Sequence, residues 1–345
     1  MRGATPAEIG DWDRLVLANP DGGHILQSRA WGEFKRGRGW EPHYRIAEHG
    51  HDRIAILFLR RHIPALGDLW YAPRGPGVSN SEQVCALAED LRSLGPGLLV
   101  KIDPELEASA NTSAWPQAGI VKSPAEVQNS TATILVDLQP SEEEIIASFK
   151  PKCRYNIRLA ARHGVQVRRM PVDERTVEVM YRLMGATQQR AGFMLRPLDY
   201  FAAYWRLQNA AGDGDFFFAS HGDEVLAGCF VTHFGSKAWY KDGGSSRSHH
   251  ELMAPYLLQW EVMRWLRGQG VRVYDLVAVP RPVDMSPDHP FSGLYRFKSG
   301  FNEHVTEFVG TWDIPLGRAR YRLWNAVGER LARQWTYRIR HDFFY

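Results

Sequence analysis

Three short stretches of this 345-residue chain gather side chains suited to an activated carbonyl beside a charged ligand. Gly293-Leu294-Tyr295-Arg296-Phe297-Lys298-Ser299-Gly300-Phe301 brings aromatic, cationic and glycine residues together. Trp31-Gly32-Glu33-Phe34-Lys35, followed by Trp40, sets a lysine among rings, and Arg196-Pro197-Leu198-Asp199-Tyr200 joins an arginine to a tyrosine. No nucleophile motif accompanies them. The sequence has no G-x-S-x-G, no Walker loop and no Rossmann glycine fingerprint, and no cysteine has a histidine at a suggestive spacing. Direct attack of an amine on an activated carbonyl needs none of these. It needs cations for phosphates, a route for the amine's proton and a donor for the oxyanion. Taken singly, each stretch also reads as a half-buried element whose long side chains snorkel.

The bulk composition narrows the field. With 44% apolar, 12% aromatic and 23% charged residues, the chain is globular and long enough for two cores. A net charge of +3 makes it no polycation, so any anion site depends on local clustering, and DNA is not an expected partner. Cys85, Cys153 and Cys229 form an odd set without C-x-x-C, as in a reducing compartment. The purest apolar run, Ile54-Ala55-Ile56-Leu57-Phe58-Leu59, is far below the roughly 20 residues that cross a bilayer. The amino terminus lacks a signal-peptide core. A cytoplasmic location is expected, with membrane contact at most peripheral, at the inner face. The histidines show no metal-ligand spacing, so no metal is expected.

The elements that must position these residues occur twice. Val225–Val231 and Lys237–Tyr240 read as strands joined by a turn at Phe234-Gly235-Ser236. A helix carrying Tyr256, Leu257, Trp260, Met263 and Leu266 follows, then Gly270 and the strand Val271–Asp275. This order resembles Gcn5-related N-acyltransferases, whose glycine-rich turn cradles the coenzyme pyrophosphate. Here that place holds Ser245-Ser246-Arg247-Ser248-His249-His250-Glu251, without R-x-x-G-x-G, which disfavours coenzyme A. Leu69-Trp70-Tyr71-Ala72-Pro73-Arg74-Gly75 resembles Ala238-Trp239-Tyr240-Lys241-Asp242-Gly243-Gly244. Each precedes a helix, Ser81 to Leu94 or His250 to Gly268, and each helix leads to a strand ending in aspartate, at Asp103 or Asp275. The expected fold is therefore α/β (α+β): two tandem acyltransferase-like units with mixed sheets flanked by helices. Their expected extents are 1–143, with 316–345 packing back on it, and 144–315.

Two segments of these units are basic. Ser141-Glu142-Glu143-Glu144 is a capping box, and Pro151 interrupts the helix it opens. The next helix carries Arg154, Arg158 and Arg162 on one face, near Lys150 and Lys152. That face is either solvated surface or a phosphate-tracking surface for RNA or an anionic headgroup. Near the end, Leu323, Val327, Leu331 and Trp335 recur at helical spacing among arginines. The stripe is expected to pack inward and the arginines to face solvent.

Together these stretches resemble the Fem (FemABX) family of peptidoglycan interpeptide-bridge aminoacyltransferases, in a compact form. The resemblance covers nearly the whole chain. It is carried by Ile25-Leu26-Gln27-Ser28 with Trp31 and Lys35, Tyr71-Ala72-Pro73-Arg74-Gly75-Pro76 and Ile102-Asp103-Pro104. Arg190-Ala191-Gly192 with Arg196 and Tyr200, Trp239-Tyr240 with Ala254-Pro255-Tyr256, and Leu294–Lys298 complete it.

The resemblance implies transfer of an amino acid from aminoacyl-tRNA, a co-substrate rather than a cofactor, to an amine of a muramyl-pentapeptide precursor, soluble or lipid-linked. It implies that Lys35 and Arg196 hold the precursor's phosphates, and that Tyr200 and Asp103 line the same site. Trp40, Tyr71, Arg74, Tyr240 and Asp242 are further candidate substrate contacts. Lys298 matches the lysine at the aminoacyl-tRNA end, and Asp103 is a candidate for orienting or deprotonating the amine. Lys150, Lys152, Arg154, Arg158 and Arg162 are the candidate tRNA contacts. Two departures bear on the acceptor: Asp242 stands where an aromatic is common, and Asp275-Leu276-Val277-Ala278 lacks the glycine of D-x-x-G. The alternatives are a coenzyme A-dependent N-acyltransferase, an aminoacyl-tRNA-using enzyme that tailors a small peptide metabolite, and a non-catalytic RNA-binding module.

Overall fold

Ile54 to Leu59 are all at most 2% exposed, so this run has no outward face and belongs to a strand covered on both sides. It lies in Asp52–Ile63, the third strand of a seven-stranded sheet in a computed structural model that describes all residues except 50, 51, 129, 130, 192, 193, 287 and 290. Gly192 therefore lies outside the described residues, as do the side chains of Arg190 and Ala191.

By contacts the chain divides into Met1–Thr131 with Glu307–Tyr345, and Ala132–Thr306. Both junctions fall earlier than the expected boundaries at 143/144 and 315/316. The cause is strand pairing: Leu135–Asp137 joins the sheet of the second unit and Trp312–Pro315 that of the first.

The strands of the first unit are β1 (Arg2–Gly3), β2 (Glu41–His49), β3 (Asp52–Ile63), β4 (Gly67–Ala72), β5 (Leu99–Ile102) and β6 (Val121–Lys122). Those of the second are β7 (Leu135–Asp137), β8 (Gln166–Met170), β9 (Gly214–His221), β10 (Glu224–Phe234), β11 (Lys237–Ser245) and β12 (Val273–Asp275). Strand β13 (Trp312–Pro315) returns to the first sheet. The two orders are β1-β2-β3-β4-β5-β13-β6 and β7-β12-β11-β10-β9-β8.

The same motif recurs in both sheets. Antiparallel β2-β3-β4 is followed by a parallel β4–β5 pair, and antiparallel β9-β10-β11 by a parallel β11–β12 pair. The helical connection differs between them. In the second unit it is Ala254–Gly268, shorter than expected at its start because His249 and Met253 take left-handed backbone and His250–Leu252 forms a separate turn. In the first it is two pieces, Ser81–Ala86 and Ala88–Arg92.

The second unit's core lies between its sheet and the helices Glu142–Ser148, Pro151–Arg162 and Ala254–Gly268, with Phe149, Ile157, Trp260 and Met263 among its buried residues. Pro151 stands first in its helix, where a missing N–H costs nothing. Helix Glu174–Ala191 packs so closely on β11 that a Cβ on Gly244 would lie 2.5 Å from the Leu183 backbone. Only glycine fits there.

The terminal stripe is a correction. Leu323, Val327, Leu331 and Trp335 are exposed, while Trp324, Glu329 and Thr336 are buried. Glu329 turns inward because it meets Arg333 Nη2 at 2.8 Å and the Tyr345 hydroxyl at 3.0 Å. Among the described residues no helix is long and apolar enough to cross a membrane.

Candidate active site

In the first unit, Ser28 accepts from the Trp31 N–H at 3.1 Å and opens the helix Arg29–Arg36. Lys35 falls in its last turn, buried, with Nζ 5.2 Å from the centre of the Trp31 ring one turn earlier. Gln27 donates to the Pro73 carbonyl at 2.7 Å and accepts from the Leu57 N–H at 2.8 Å. It thereby ties the Pro73-Arg74 loop to β3. This gives the Ile25–Ser28 motif a physical meaning: one residue anchors a loop and the next starts a helix.

That loop builds a carboxylate site. Asp103, at the end of β5, is 1% exposed and accepts from the Tyr71 hydroxyl at 3.0 Å, the Arg74 N–H at 2.5 Å and Gln128 Nε2 at 3.0 Å. Burial raises its carboxyl to about 6, against the opposing effects of Arg74, Gln128 and Tyr71. Burial also drives the Tyr71 hydroxyl well above its usual value. Arg74 takes a left-handed φ of 49° and lays its guanidinium over Phe308. Tyr71, Arg74 and Asp103 are thus together. Gln128 is a partner that sequence reasoning missed, because no local pattern surrounds it.

Trp40 does not read as an open substrate contact. It is 3% exposed, stacked on Tyr345 and covered by Phe344 and by Arg61, whose guanidinium lies 4.1 Å from its ring centre. Behind this aromatic cluster sits a second buried assembly. Lys101 Nζ donates to Asp313 Oδ1 at 2.8 Å and to Ser123 Oγ at 2.7 Å, with Glu329 3.9 Å away.

In the second unit the repeat places Lys298 beside β11 and β12. Its helix, Ser292–Lys298, is fixed by Phe297, which packs edge-on against Tyr256 and Phe301. Lys298 is 3% exposed, and Nζ donates to the Val277 carbonyl at 2.6 Å and the Ala278 carbonyl at 3.1 Å. Both carbonyls come from residues with positive φ, 57° for Val277 and 26° for Ala278. A β-branched residue in that region is costly and persists only where its surroundings enforce it. Asp275 enforces it here, accepting from the Val277 N–H at 2.6 Å and from the Thr133 hydroxyl. Burial pushes the Lys298 amine down to about 7, with Asp275 pulling the other way.

Tyr240 lies beside this lysine, its ring centre 5.7 Å from Lys298 Nζ. A Cβ on Gly243 would lie 1.9 Å from the Tyr240 oxygen, so the ring folds back over bare backbone. The pairing of β10 and β11 slips between Tyr240 and Asp242, leaving Lys241 as the extra residue of a bulge, a device that re-aims neighbouring side chains. Asp242 Oδ2 accepts from the buried Trp205 indole at 2.8 Å, which gives the carboxylate a partner within this unit at a position where an aromatic is common. Arg196 lies over the Tyr200 ring at 4.3 Å, so those two residues form one unit of structure.

The basic helix is divided in its duties. Arg154 donates to the Ala147 and Phe149 carbonyls, capping the preceding helix, and Lys150 meets Glu303 at 2.6 Å. Lys152, Arg158 and Arg162 remain exposed beside Tyr155.

A family model described as "FemAB family" matches residues 118–210 and 204–329. The chain belongs to the FemAB family. It is similar to a lipid II:glycine glycyltransferase of Staphylococcus haemolyticus (strain JCSC1435), 23% identical over 404 aligned positions covering 93% of this chain and 94% of that protein. The corresponding Staphylococcus aureus (strain MRSA252) protein is 22% identical over 406, with the same coverage. Those alignments are longer than this chain, so these relatives carry insertions it lacks. The crystal structure of FemX superposes with a TM-score of 0.82 at 21% identity, over 94% of this chain and 100% of that one, and shows the same fold. As a FemAB member the chain is an enzyme, a transferase of the Fem type.

Proposed function

We propose that this FemAB member moves an amino acid from its tRNA ester to the amine of a stem peptide on a peptidoglycan precursor. The precursor is a muramyl-pentapeptide carried on a nucleotide or a lipid, on the cytoplasmic side of the membrane. Its relatives' names, lipid II:glycine glycyltransferases, support the acceptor class.

The observation that carries the reading is the state of Lys298. Two of its three donors are committed to the Val277 and Ala278 carbonyls, which leaves one N–H to aim at a reacting oxygen. In the proposed step the acceptor nitrogen attacks the ester carbonyl. Negative charge gathers on the carbonyl oxygen, where Lys298 stabilises it. The C–O bond to the ribose then breaks as the C–N bond is kept, and the proton lost by the amine ends on the ribose oxygen. Lys35 and Arg196 serve as phosphate ligands. Asp103, a carboxyl that ionises near neutrality, orients the acceptor or accepts its proton.

The test is to incubate the protein with a mixture of charged tRNAs and a muramyl-pentapeptide and to weigh the products. The expected product is heavier by one amino acid residue and depends on tRNA charging. An acetylated product formed from acetyl-coenzyme A alone would overturn the reading.

A further inference from the structure

The terminal segment of the first unit, Arg318–Leu323, Trp324–Gly328 and Glu329–Arg340, turns its greasiest residues outward. Leu323 is 54% exposed, Leu331 56% and Ile339 64%, and Val327 and Trp335 occupy the intervening steps of the same four-residue series. Four-residue spacing drifts by about 40° per step around a regular α-helix. The wider π turn at Trp324–Gly328 takes back part of that drift and keeps the series on one side.

The charges around the stripe have one sign. Arg318, Arg320, Arg322, Arg330 and Arg338 are exposed, and among the described residues none of the five pairs with a carboxylate. The only acid between 318 and 340 is Glu329, which is buried against Arg333 and Tyr345. The inward side is meanwhile firmly held, by Trp324, Thr336 and the Glu329 hydrogen bonds, so the outward face is a consequence of the packing.

We infer that this face is a docking surface for an anionic phospholipid bilayer. A helix lying in the headgroup plane buries an apolar stripe while flanking arginines meet lipid phosphates. Two other occupants fit less well. A second copy of this chain would bring five arginines against five with no acid between them. A nucleic acid would satisfy the arginines and strand the leucines against its phosphates. The inference is independent of any assignment of the transfer reaction.

The test is flotation of the full chain with vesicles of phosphatidylglycerol mixed with phosphatidylcholine, and with phosphatidylcholine alone. The wild-type chain is expected to float with the anionic vesicles and far less with the neutral ones. Leu323→Glu/Leu331→Glu/Ile339→Glu and, separately, Arg320→Ala/Arg330→Ala/Arg338→Ala should each reduce that partition by at least about tenfold. Thermal melts confirm that the variants fold; should the glutamate triple melt early, Leu331→Gln/Ile339→Gln carries the same expectation. Unchanged flotation of both variants overturns the inference. So does a wild-type dimer that ignores vesicles and becomes monomeric in the glutamate variant, or tRNA binding lost in the glutamate variant with no vesicle binding by the wild type.

Discussion

Lys298 Nζ lies 2.6 Å from the carbonyl oxygen of Val277, a residue held at a φ of 57°. The lysine is therefore seated by backbone oxygens rather than by a carboxylate contact, and burial brings its amine down to about 7. A buried ammonium without a close counter-ion is costly, and the lowered affinity of the amine for its proton is the expression of that cost.

Replacing Lys298 by Met should cut transfer roughly 100- to 1000-fold, the range found when one oxyanion donor is lost. Stability should report the same residue through its pH dependence. The folded chain releases the proton near 7, while the unfolded chain holds it to about 10.4. Between those values the unfolded state binds more protons, so wild-type stability rises with pH relative to Lys298→Met, and below 7 the difference is flat. Urea melts of both proteins at pH 6, 8 and 9.5 measure it; parallel curves would reject a buried amine with a lowered affinity for its proton.

Asp103 bears on activity at lower pH. With its carboxyl at about 6, kcat/KM for the acceptor should rise with pH through that value as the carboxylate forms. Asp103→Asn keeps an oxygen for the Tyr71 hydroxyl and removes the titration. Its profile should lose the acid limb, and a variant retaining that limb assigns it to another group.

Much of this arrangement is legible in the sequence. The repeated order of strand pair, helix and aspartate-ending strand predicted two units with mixed sheets flanked by helices, because side-chain period and turn residues act locally. Tyr71, Arg74 and Asp103 came together as a consequence. What could not be read was set by long-range pairing. Gln128 reaches Asp103 from 25 positions away, and Thr133 reaches Asp275 from 142 away, with no pattern announcing either. The terminal stripe failed for a different reason. Periodicity locates an apolar face but does not say which side meets protein, and Glu329 and Trp324 decided that. Asp242 and Trp40 likewise meet partners, Trp205 and Tyr345, that lie far off in sequence.

The buried pair Lys101–Asp313 makes a prediction about stability alone. Lys101→Met leaves Asp313 without its cation in a fully buried setting and should destabilise the protein by about 3–5 kcal/mol. Adding Asp313→Leu should recover much of that loss, since an apolar pair carries no desolvation cost. Denaturant midpoints of the two variants decide it; equal midpoints for single and double substitution would show that the charges are not coupled.

Arg196 and Lys35 should separate binding from turnover. Arg196 lies flat over Tyr200, a contact that needs the planar guanidinium, so Arg196→Lys should raise the acceptor KM nearly as much as Arg196→Ala. Lys35→Ala should likewise raise KM more than it lowers kcat. Steady-state kinetics with a nucleotide-linked muramyl-pentapeptide provide the measurement, and an unchanged KM in all three variants would remove phosphate recognition from these residues.

The basic helix gives a last expectation, and the hydrogen bonds sharpen it. Arg154 is occupied in capping the helix before it, so it should not contribute to nucleic-acid binding, whereas Arg158 and Arg162 face solvent one turn apart. Each phosphate contact adds close to one to the slope of log K against log salt, slightly less on single strands. Arg158→Ala/Arg162→Ala should therefore weaken aminoacyl-tRNA binding and lower that slope by about 1.4 to 1.8. Arg154→Ala should leave the slope unchanged and lower the melting temperature instead, because two carbonyls at a helix end lose their donor. Filter-binding titrations across a salt series, paired with melts, distinguish the two roles. A slope that is the same in the double variant and the wild type would return this face to ordinary surface.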